Sequence, residues 1–176
     1  MKNLLLDSLK KESILKGEFV LSSGEKSNYY IDARISTLSS ISLGYIADIF
    51  YKEIIEQNLN IVGGPSIGAD PIVGAILEKA SRDKNSFKGF LVRSADKEHG
   101  TKKKIEGPDI SNKKVVIVED VVSTGGSIFR TIDELDQINC KVELILSIVD
   151  REMGAKEKFL ESKISYNPIF KISELL

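Results

Sequence analysis

Apolar residues recur along the chain with two different spacings, and each spacing predicts one kind of element. A spacing of three to four residues predicts helices, which cover residues 3–11, 39–57, 71–81 and 126–137. Short apolar runs between turn-forming residues predict strands, which cover two stretches within residues 17–34 and then residues 60–65, 89–93, 114–118 and 143–149. Residues 162–176 indicate only short strands or irregular structure.

The order of these elements predicts the fold class. Strands that alternate with helices imply right-handed crossovers, so we expect an α/β protein with a mostly parallel central sheet flanked by helices. The run at residues 114–118 is apolar throughout, as in a strand that is buried on both faces. Residues 94–109 are polar, charged and aperiodic, and we predict a long loop there. Loops of more than about 12–15 residues in a compact domain are usually functional or disordered.

Length and composition narrow the class of protein. A chain of 176 residues fits a single domain that spans residues 1–176. Its formal net charge of -1 gives no overall attraction to nucleic acid or to an anionic membrane. No stretch approaches the ~20 apolar residues of a membrane span, and the N-terminus lacks the apolar run of a signal peptide. Because Cys140 is the only cysteine, no internal disulfide can form, and we expect a cytoplasmic protein.

One short segment combines the residue types that a sugar phosphate requires. The apolar strand ends in Glu119 and Asp120 and is followed by a small, hydroxylated loop that leads into a helix: Ser123, Thr124, Gly125, Gly126 and Ser127. Backbone N–H groups, hydroxyls and the positive end of the helix can converge there on a phosphate. Carboxylates at the carboxyl end of a parallel strand can accept hydrogen bonds from sugar hydroxyls, or hold a metal through water. An ordinary glycine-rich turn with capping acids is the alternative interpretation.

This segment resembles the signature of the type I phosphoribosyltransferases, which bind 5-phosphoribosyl 1-diphosphate (PRPP). The resemblance implies that Glu119 and Asp120 bind the ribose hydroxyls, with Asp120 also counted among the catalytic residues, and that residues 123–127 bind the 5-phosphate. It also implies the family's fold, with a small hood formed by residues 1–35 and part of the C-terminal tail. Residues 63–69 fall where the family has a diphosphate-binding turn.

The predicted loop at 94–109, together with Arg93 before it, resembles the catalytic loop of the orotate phosphoribosyltransferases. It contains Lys97 and His99 in a Lys-x-His-Gly motif, followed by Ile-Glu-Gly at residues 105–107. Positive charge in such a loop would stabilise a diphosphate leaving group. The resemblance implies that Arg93, Lys97 and His99 bind PRPP and that Lys97 and His99 are catalytic, with Lys97 the proton donor. A solvated charged loop is the alternative interpretation.

Two further segments resemble the same family. Residues 17–24, with Ser27 and Asp32, resemble the hood, where the resemblance assigns Tyr29 and Tyr30 to orotate; two buried tyrosines on ordinary strands are the alternative. Arg151 follows a predicted strand where the family places an arginine on the orotate carboxylate, and Ser123 is assigned to orotate as well. A guanidinium suits that task because its planar fork can donate two parallel hydrogen bonds.

The chain departs from the family at three positions that often carry lysine. These positions are Ser22 in the hood, Ile67 in the diphosphate-binding turn and Ser94 after the arginine of the loop. Positive charge that many members bring to the diphosphate and orotate is therefore missing from these places.

The resemblance implies transfer of the phosphoribosyl group from PRPP to orotate. Mg²⁺ is expected as cofactor, held mainly by PRPP with no protein ligand assigned, because Mg²⁺ rarely uses an all-protein cage. A homodimer that shares the catalytic loop across its interface is also implied. Two alternatives stay open, namely a phosphoribosyltransferase for another nucleobase and a PRPP-sensing regulator. The net charge of -1 and the pair Lys97 and His99 weigh against the regulator.

Overall fold

The computed structural model describes residues 1–20, 26–94 and 104–176. The helices are α1 Lys2–Ser8, continued by a π-helical turn at Leu9–Ser13, α2 Arg34–Thr37, α3 Ser40–Glu56, α4 Ala69–Arg82, α5 Gly126–Asp136, α6 Ala155–Glu161 and α7 Ile172–Leu175. The strands are β1 Ile14–Val20, β2 Lys26–Ile31, β3 Ile61–Pro65, β4 Lys88–Val92, β5 Ile105–Glu106, β6 Lys114–Val122, β7 Lys141–Asp150 and β8 Ser165–Lys171.

Six strands form the central sheet in the order β5-β4-β3-β6-β7-β8. All neighbouring pairs are parallel except β4 and β5, which run antiparallel. Strands β1 and β2 form a separate antiparallel pair at the N-terminus. The predicted fold class, a mostly parallel central sheet flanked by helices, is therefore confirmed.

The side chains on the two faces of β6 pack into two different hydrophobic clusters of the core. Val116 and Val118 belong to a cluster that includes α3 and α4, whereas Val115 and Ile117 belong to a cluster that includes α5. All four side chains are fully buried. Because burial of one such side chain contributes about 1.5–3 kcal/mol, this central strand fixes where the carboxylates that follow it will lie.

The structure differs from the sequence prediction at the end of β6. The strand does not stop before Glu119 but runs on to Val122, because Val121 and Val122 continue the ladder with Val149 and Asp150 of β7. Glu119 and Asp120 therefore lie within β6, near its carboxyl end, rather than after the strand. Their backbone is held by the sheet, which orients their side chains more firmly than a loop would.

Other differences concern short elements. β5 interrupts the loop predicted at residues 94–109 by pairing with Leu91 and Val92 of β4. The helix α6 was not predicted, and the tail contributes β8 to the central sheet beside β7. The predicted turn at residues 22–24 and the loop residues Lys97 and His99 lie outside the described residues. In the part of the chain that the structure describes, no helix has both the length and the apolar character needed to cross a membrane.

Candidate active site

A cavity of about 340 Å³ opens at the carboxyl ends of β3 and β6, where open α/β sheets bind ligands. Of the residues predicted for the site, its wall contains Tyr30, Glu119, Asp120, Ser123, Ser127 and Arg151. The wall also contains Asp32 of the hood segment, Ser66 of the predicted diphosphate-binding turn, and Arg34, to which the sequence had assigned no role. The carboxyl ends of β3, β6 and β7 and the segment after β2 therefore bring their polar residues to this cavity.

Residues 123–127 form the predicted phosphate-binding loop, which we call the cradle. Within it, Gly125 has a positive φ of 81° and directly precedes α5. A Cβ atom at this position would lie 2.9 Å from the ring of Phe159, so both the backbone and the packing require glycine. No acidic side chain lies in the first turn of α5. The unpaired N–H groups and the positive end of the helix are therefore available to an anion beside Ser127.

The two carboxylates of β6 lie in different surroundings. Glu119 is buried, and its Oε2 accepts a hydrogen bond from the Ser127 hydroxyl at 3.2 Å. Burial, and next the neighbouring charge of Asp120, raise the pKa of Glu119 well above its usual value. Asp120 is half-buried, and its Oδ1 accepts a hydrogen bond from the Val121 N–H at 2.7 Å. Glu119 therefore supports the cradle, while Asp120 is more open to a ligand.

The turn after β3 packs directly against these carboxylates. A Cβ atom on Gly68 would lie 2.5 Å from Oε1 of Glu119 and 2.8 Å from Oδ1 of Asp120, so any larger residue would displace these carboxylates. The Ser66 hydroxyl donates to Oδ2 of Asp70 at 2.9 Å, and the Ser66 N–H donates to the Val92 carbonyl. The peptide bond between Ser66 and Ile67 is cis.

Arg151 follows β7 and is held at the cavity by its backbone, whose N–H donates to the Val122 carbonyl at 2.8 Å. Its Nη1 donates a long hydrogen bond of 3.5 Å to the Ser123 hydroxyl, and its guanidinium lies 5.8 Å from the ring centre of Tyr29. Its Nε is buried and has no hydrogen-bond partner among the described residues. A buried unpaired donor is costly, so this arginine is suited to receive an oxyanion.

The other predicted residues that the structure describes lie beside the cavity. Arg93 lines an adjacent cleft of about 210 Å³, which shares Ser66 and Ser127 with the cavity. The Arg93 N–H donates to the Lys104 carbonyl at 3.0 Å, and its Nη1 lies 3.8 Å from Oε1 of Glu106. Thr124, Gly125 and Gly126 form the cradle loop without lining the cavity wall. Lys97 and His99 lie outside the described residues.

Sequence reasoning missed the role of Arg34. Its Nε lies 3.1 Å from Oδ1 of Asp32, and this oxygen also accepts the Arg34 backbone N–H at 3.2 Å. The available signal was the Asp-Ala-Arg sequence that begins two positions after Tyr30, one of the tyrosines assigned to orotate. Charged residues that follow a ligand-binding strand by two or three positions are candidates for the same site.

Comparison with known proteins first defines the class. Residues 40–171 match the model of the phosphoribosyl transferase domain, and this range includes the turn after β3, both carboxylates and the cradle. Relatives then define the particular family. An orotate phosphoribosyltransferase of Rhodopseudomonas palustris (strain BisB5) is 34% identical, with 98% of this chain and 94% of the relative covered.

Solved structures agree with that relative. The orotate phosphoribosyltransferase of Aeropyrum pernix superposes with a TM-score of 0.83 at 31% identity, covering 98% of this chain and 96% of that one. The Mycobacterium tuberculosis enzyme in complex with PRPP superposes with a TM-score of 0.81 at 25% identity, covering 99% and 98%. The chain therefore belongs to the orotate phosphoribosyltransferase family, as its motifs predicted.

Proposed function

We propose that this protein transfers the 5-phosphoribosyl group from PRPP to orotate, giving orotidine 5-monophosphate and diphosphate in the synthesis of pyrimidine nucleotides. The observation that carries the proposal is the meeting of three groups at one cavity. These are the cradle at the start of α5, the carboxylate of Asp120, and Arg151 with an unpaired buried Nε. They match the phosphate, the ribose hydroxyls and the carboxylate of the two substrates.

Each part of PRPP has a suitable partner in this arrangement. The cradle of residues 123–127 would hold the 5-phosphate through backbone N–H groups and hydroxyls. Asp120 would accept hydrogen bonds from the ribose hydroxyls, with Glu119 supporting Ser127 beneath the phosphate. The turn at residues 65–68 would lie under the diphosphate. The anomeric carbon would then face the part of the cavity that contains Arg151.

Orotate would lie between Arg151 and the tyrosines of the β1–β2 hood. Arg151 and Ser123 would bind its carboxylate, which would satisfy the buried Nε, while Tyr30 lines the cavity and Tyr29 lies under the guanidinium. A ring nitrogen of orotate forms a bond to the anomeric carbon as the bond from that carbon to the diphosphate oxygen breaks. The leaving oxygen takes the electron pair, so negative charge grows on the diphosphate.

Neutralising the diphosphate is the main chemical demand of this reaction. We assign Arg93, Lys97 and His99 to it, with Lys97 as proton donor to the leaving oxygen, on the strength of the loop motif and of the position of Arg93 in the adjacent cleft. Closure of a basic loop would also exclude water from the reacting carbon. No protein nucleophile is required, and the Cys140 thiol is buried and donates to the Ile110 carbonyl.

Mg²⁺ fits this site as a companion of the substrate. The described residues contain no group of three or more His, Cys, Asp or Glu side chains that could hold a metal alone. Two carboxylates at the cavity, together with phosphate and ribose oxygens, are a donor set that suits Mg²⁺. Bound there, the ion would supply positive charge to the diphosphate oxygens.

A homodimer is the assembly we propose, with the catalytic loop shared between subunits. Ile35 in α2, Leu38 between α2 and α3, and Ile41 in α3 lie within seven positions of the chain and are 41%, 77% and 68% exposed. Exposed apolar side chains clustered in this way are typical of an interface, and cyclic dimers are the commonest soluble assembly. The reduced thiol and the phosphorylated substrates favour the cytoplasm as its location.

The test is a continuous assay of orotate absorbance. We expect loss of absorbance that requires protein, PRPP and Mg²⁺ together and stops when any of them is omitted. The Asp120→Asn variant is the control, since it keeps the shape of the side chain and removes the charge that the ribose hydroxyls need. No loss of orotate, alongside turnover of PRPP with a purine base, would favour a phosphoribosyltransferase for another nucleobase.

A further inference from the structure

Arg34 lines the same cavity as Arg151 but is held in a different way. Oδ1 of Asp32 accepts both the Arg34 Nε–H, at 3.1 Å, and the Arg34 backbone N–H, at 3.2 Å. Among the described residues these are the hydrogen bonds that its Nε and backbone N–H make. Within the described ranges, neither terminal amino group of the guanidinium has a hydrogen-bond partner, so both can serve a ligand.

The two hydrogen bonds to Asp32 orient the Arg34 side chain rather than stabilising the fold. Half of the Arg34 side chain is exposed, and exposed ion pairs contribute little to the free energy of unfolding. An arginine that is already oriented, however, loses less conformational entropy when it binds an oxyanion. The hydrogen bond to Asp32, with smaller attractions to Tyr30 and Asp120, raises the pKa of Arg34 and keeps it cationic.

Three anionic groups must be bound if the proposed function holds, and the described wall of this cavity offers clear partners to two of them. The cradle at α5 suits the 5-phosphate, and Arg151 with Ser123 suits the orotate carboxylate. The turn that would lie under the diphosphate offers Ser66, Ile67 and Gly68, which carry no positive charge. Arg34 shares the cavity wall with this turn.

We propose that Arg34, held by Asp32, binds the diphosphate of PRPP and supplies charge that the turn at Ile67 lacks. This inference rests on the proposed function, because it assumes that PRPP occupies the cavity. Asp32 is then a positioning residue that acts through Arg34. A guanidinium also suits the orotate carboxylate, and binding measurements separate the two ligands.

The experiment measures dissociation constants by calorimetry for inorganic diphosphate with Mg²⁺, for PRPP with Mg²⁺ and for orotate. Arg34→Ala should weaken diphosphate and PRPP binding by about 10- to 100-fold, the range for a lost charged hydrogen bond, and leave orotate binding within about twofold. Arg34→Lys should recover part of the loss, because it restores the charge without the planar fork.

Arg82→Ala is the matched control. Arg82 also directs its Nε at a carboxylate, that of Glu78 at 2.9 Å, and it lies at the end of α4 outside the cavity wall. This variant removes the same charge from the protein and should bind all three ligands as the unaltered protein does. Circular dichroism melting of each variant separates lost binding from lost folding.

Asp32→Asn tests the positioning role. Alone it should weaken diphosphate binding by less than Arg34→Ala does, and in the Arg34→Ala background it should add nothing further. Additive losses would mean that Asp32 does not act through Arg34.

Two results would overturn the assignment of Arg34: an Arg34→Ala variant that binds diphosphate normally, or one that weakens orotate as much as diphosphate. Neither depends on turnover. Failure of orotate turnover in the unaltered protein would contradict the proposed function instead, while diphosphate binding would still decide the role of Arg34.

Discussion

Arg151 shows how one residue obtains its role from its surroundings. Its backbone is fixed by Val122, its Nη1 reaches Ser123, and its buried Nε has no partner among the described residues. We expect Arg151→Ala to raise the Michaelis constant for orotate at least about tenfold, since a charged hydrogen bond contributes about 1.5–3 kcal/mol. The Michaelis constant for PRPP should change much less. Steady-state kinetics with each substrate varied in turn check this, and equal increases for both substrates would argue against a carboxylate contact.

Glu119 gives a prediction about pH. Burial raises its pKa above the ordinary value of 4.5, so the folded protein loses stability relative to the unfolded chain as pH rises from that value through the higher folded pKa. Glu119→Gln cannot ionise and should avoid this loss. Its melting temperature relative to the unaltered protein should therefore rise as the pH increases above 4.5. A difference that stays constant with pH would mean that Glu119 does not titrate in this range.

At the residue scale, the sequence indicated the site residues that lie together in one continuous motif. Glu119, Asp120, Ser123 and Ser127 lie within nine positions, where an apolar strand, two carboxylates and a small hydroxylated loop follow one another. Arg34 was not singled out, because its place at the site arises only when the segment after β2 meets the turn after β3 at the cavity. The 32 positions that separate Arg34 from Ser66 in the sequence give no sign of that contact.

The start of α5 is the element on which phosphate binding depends, and Gly125 sets its geometry. Gly125→Ala should lower the free energy of unfolding by about 1–3 kcal/mol, because alanine is strained at positive φ and its Cβ would meet Phe159. PRPP binding should weaken as well. Chemical denaturation and calorimetry measure the two effects.

Gly74→Ala in α4 is the control for that variant. No atom lies within 4 Å of a Cβ built there, and alanine favours a helix, so this change should be neutral or stabilising and leave PRPP binding unchanged. If Gly125→Ala behaves like Gly74→Ala, the cradle does not require glycine.

At the element scale, sequence indicated long elements well and short ones poorly. The continuous apolar run of β6 and the periodic pattern of α3 are strong signals, because many buried side chains repeat the same spacing. The unpredicted α6 has seven residues and buries only Ala155 and Phe159, and β5 has two residues. Whether an element of this length forms depends on its contacts with neighbouring elements, and the local sequence pattern does not show those contacts.

At the scale of the whole molecule, the exposed apolar side chains of Ile35, Leu38 and Ile41 would remain in contact with water in a monomer. We expect the protein to be a dimer at micromolar concentration, and Leu38→Glu to shift it toward monomer in analytical ultracentrifugation. Leu160→Glu is the control, because Leu160 is 74% exposed on α6, compared with 77% for Leu38. A dimer unaffected by Leu38→Glu would place the interface elsewhere.

The most direct test of the central claim is a competition among nucleobases for the same active site. The protein is mixed with PRPP, Mg²⁺ and equal concentrations of orotate, uracil, adenine and hypoxanthine, and the nucleotides formed are identified by mass spectrometry. Because Arg151 and Ser123 suit a carboxylate, which orotate alone of these bases carries, we predict orotidine 5-monophosphate as the main product, formed with an equal amount of diphosphate. A purine or uracil nucleotide as main product, or consumption of PRPP without any nucleotide, would contradict the account.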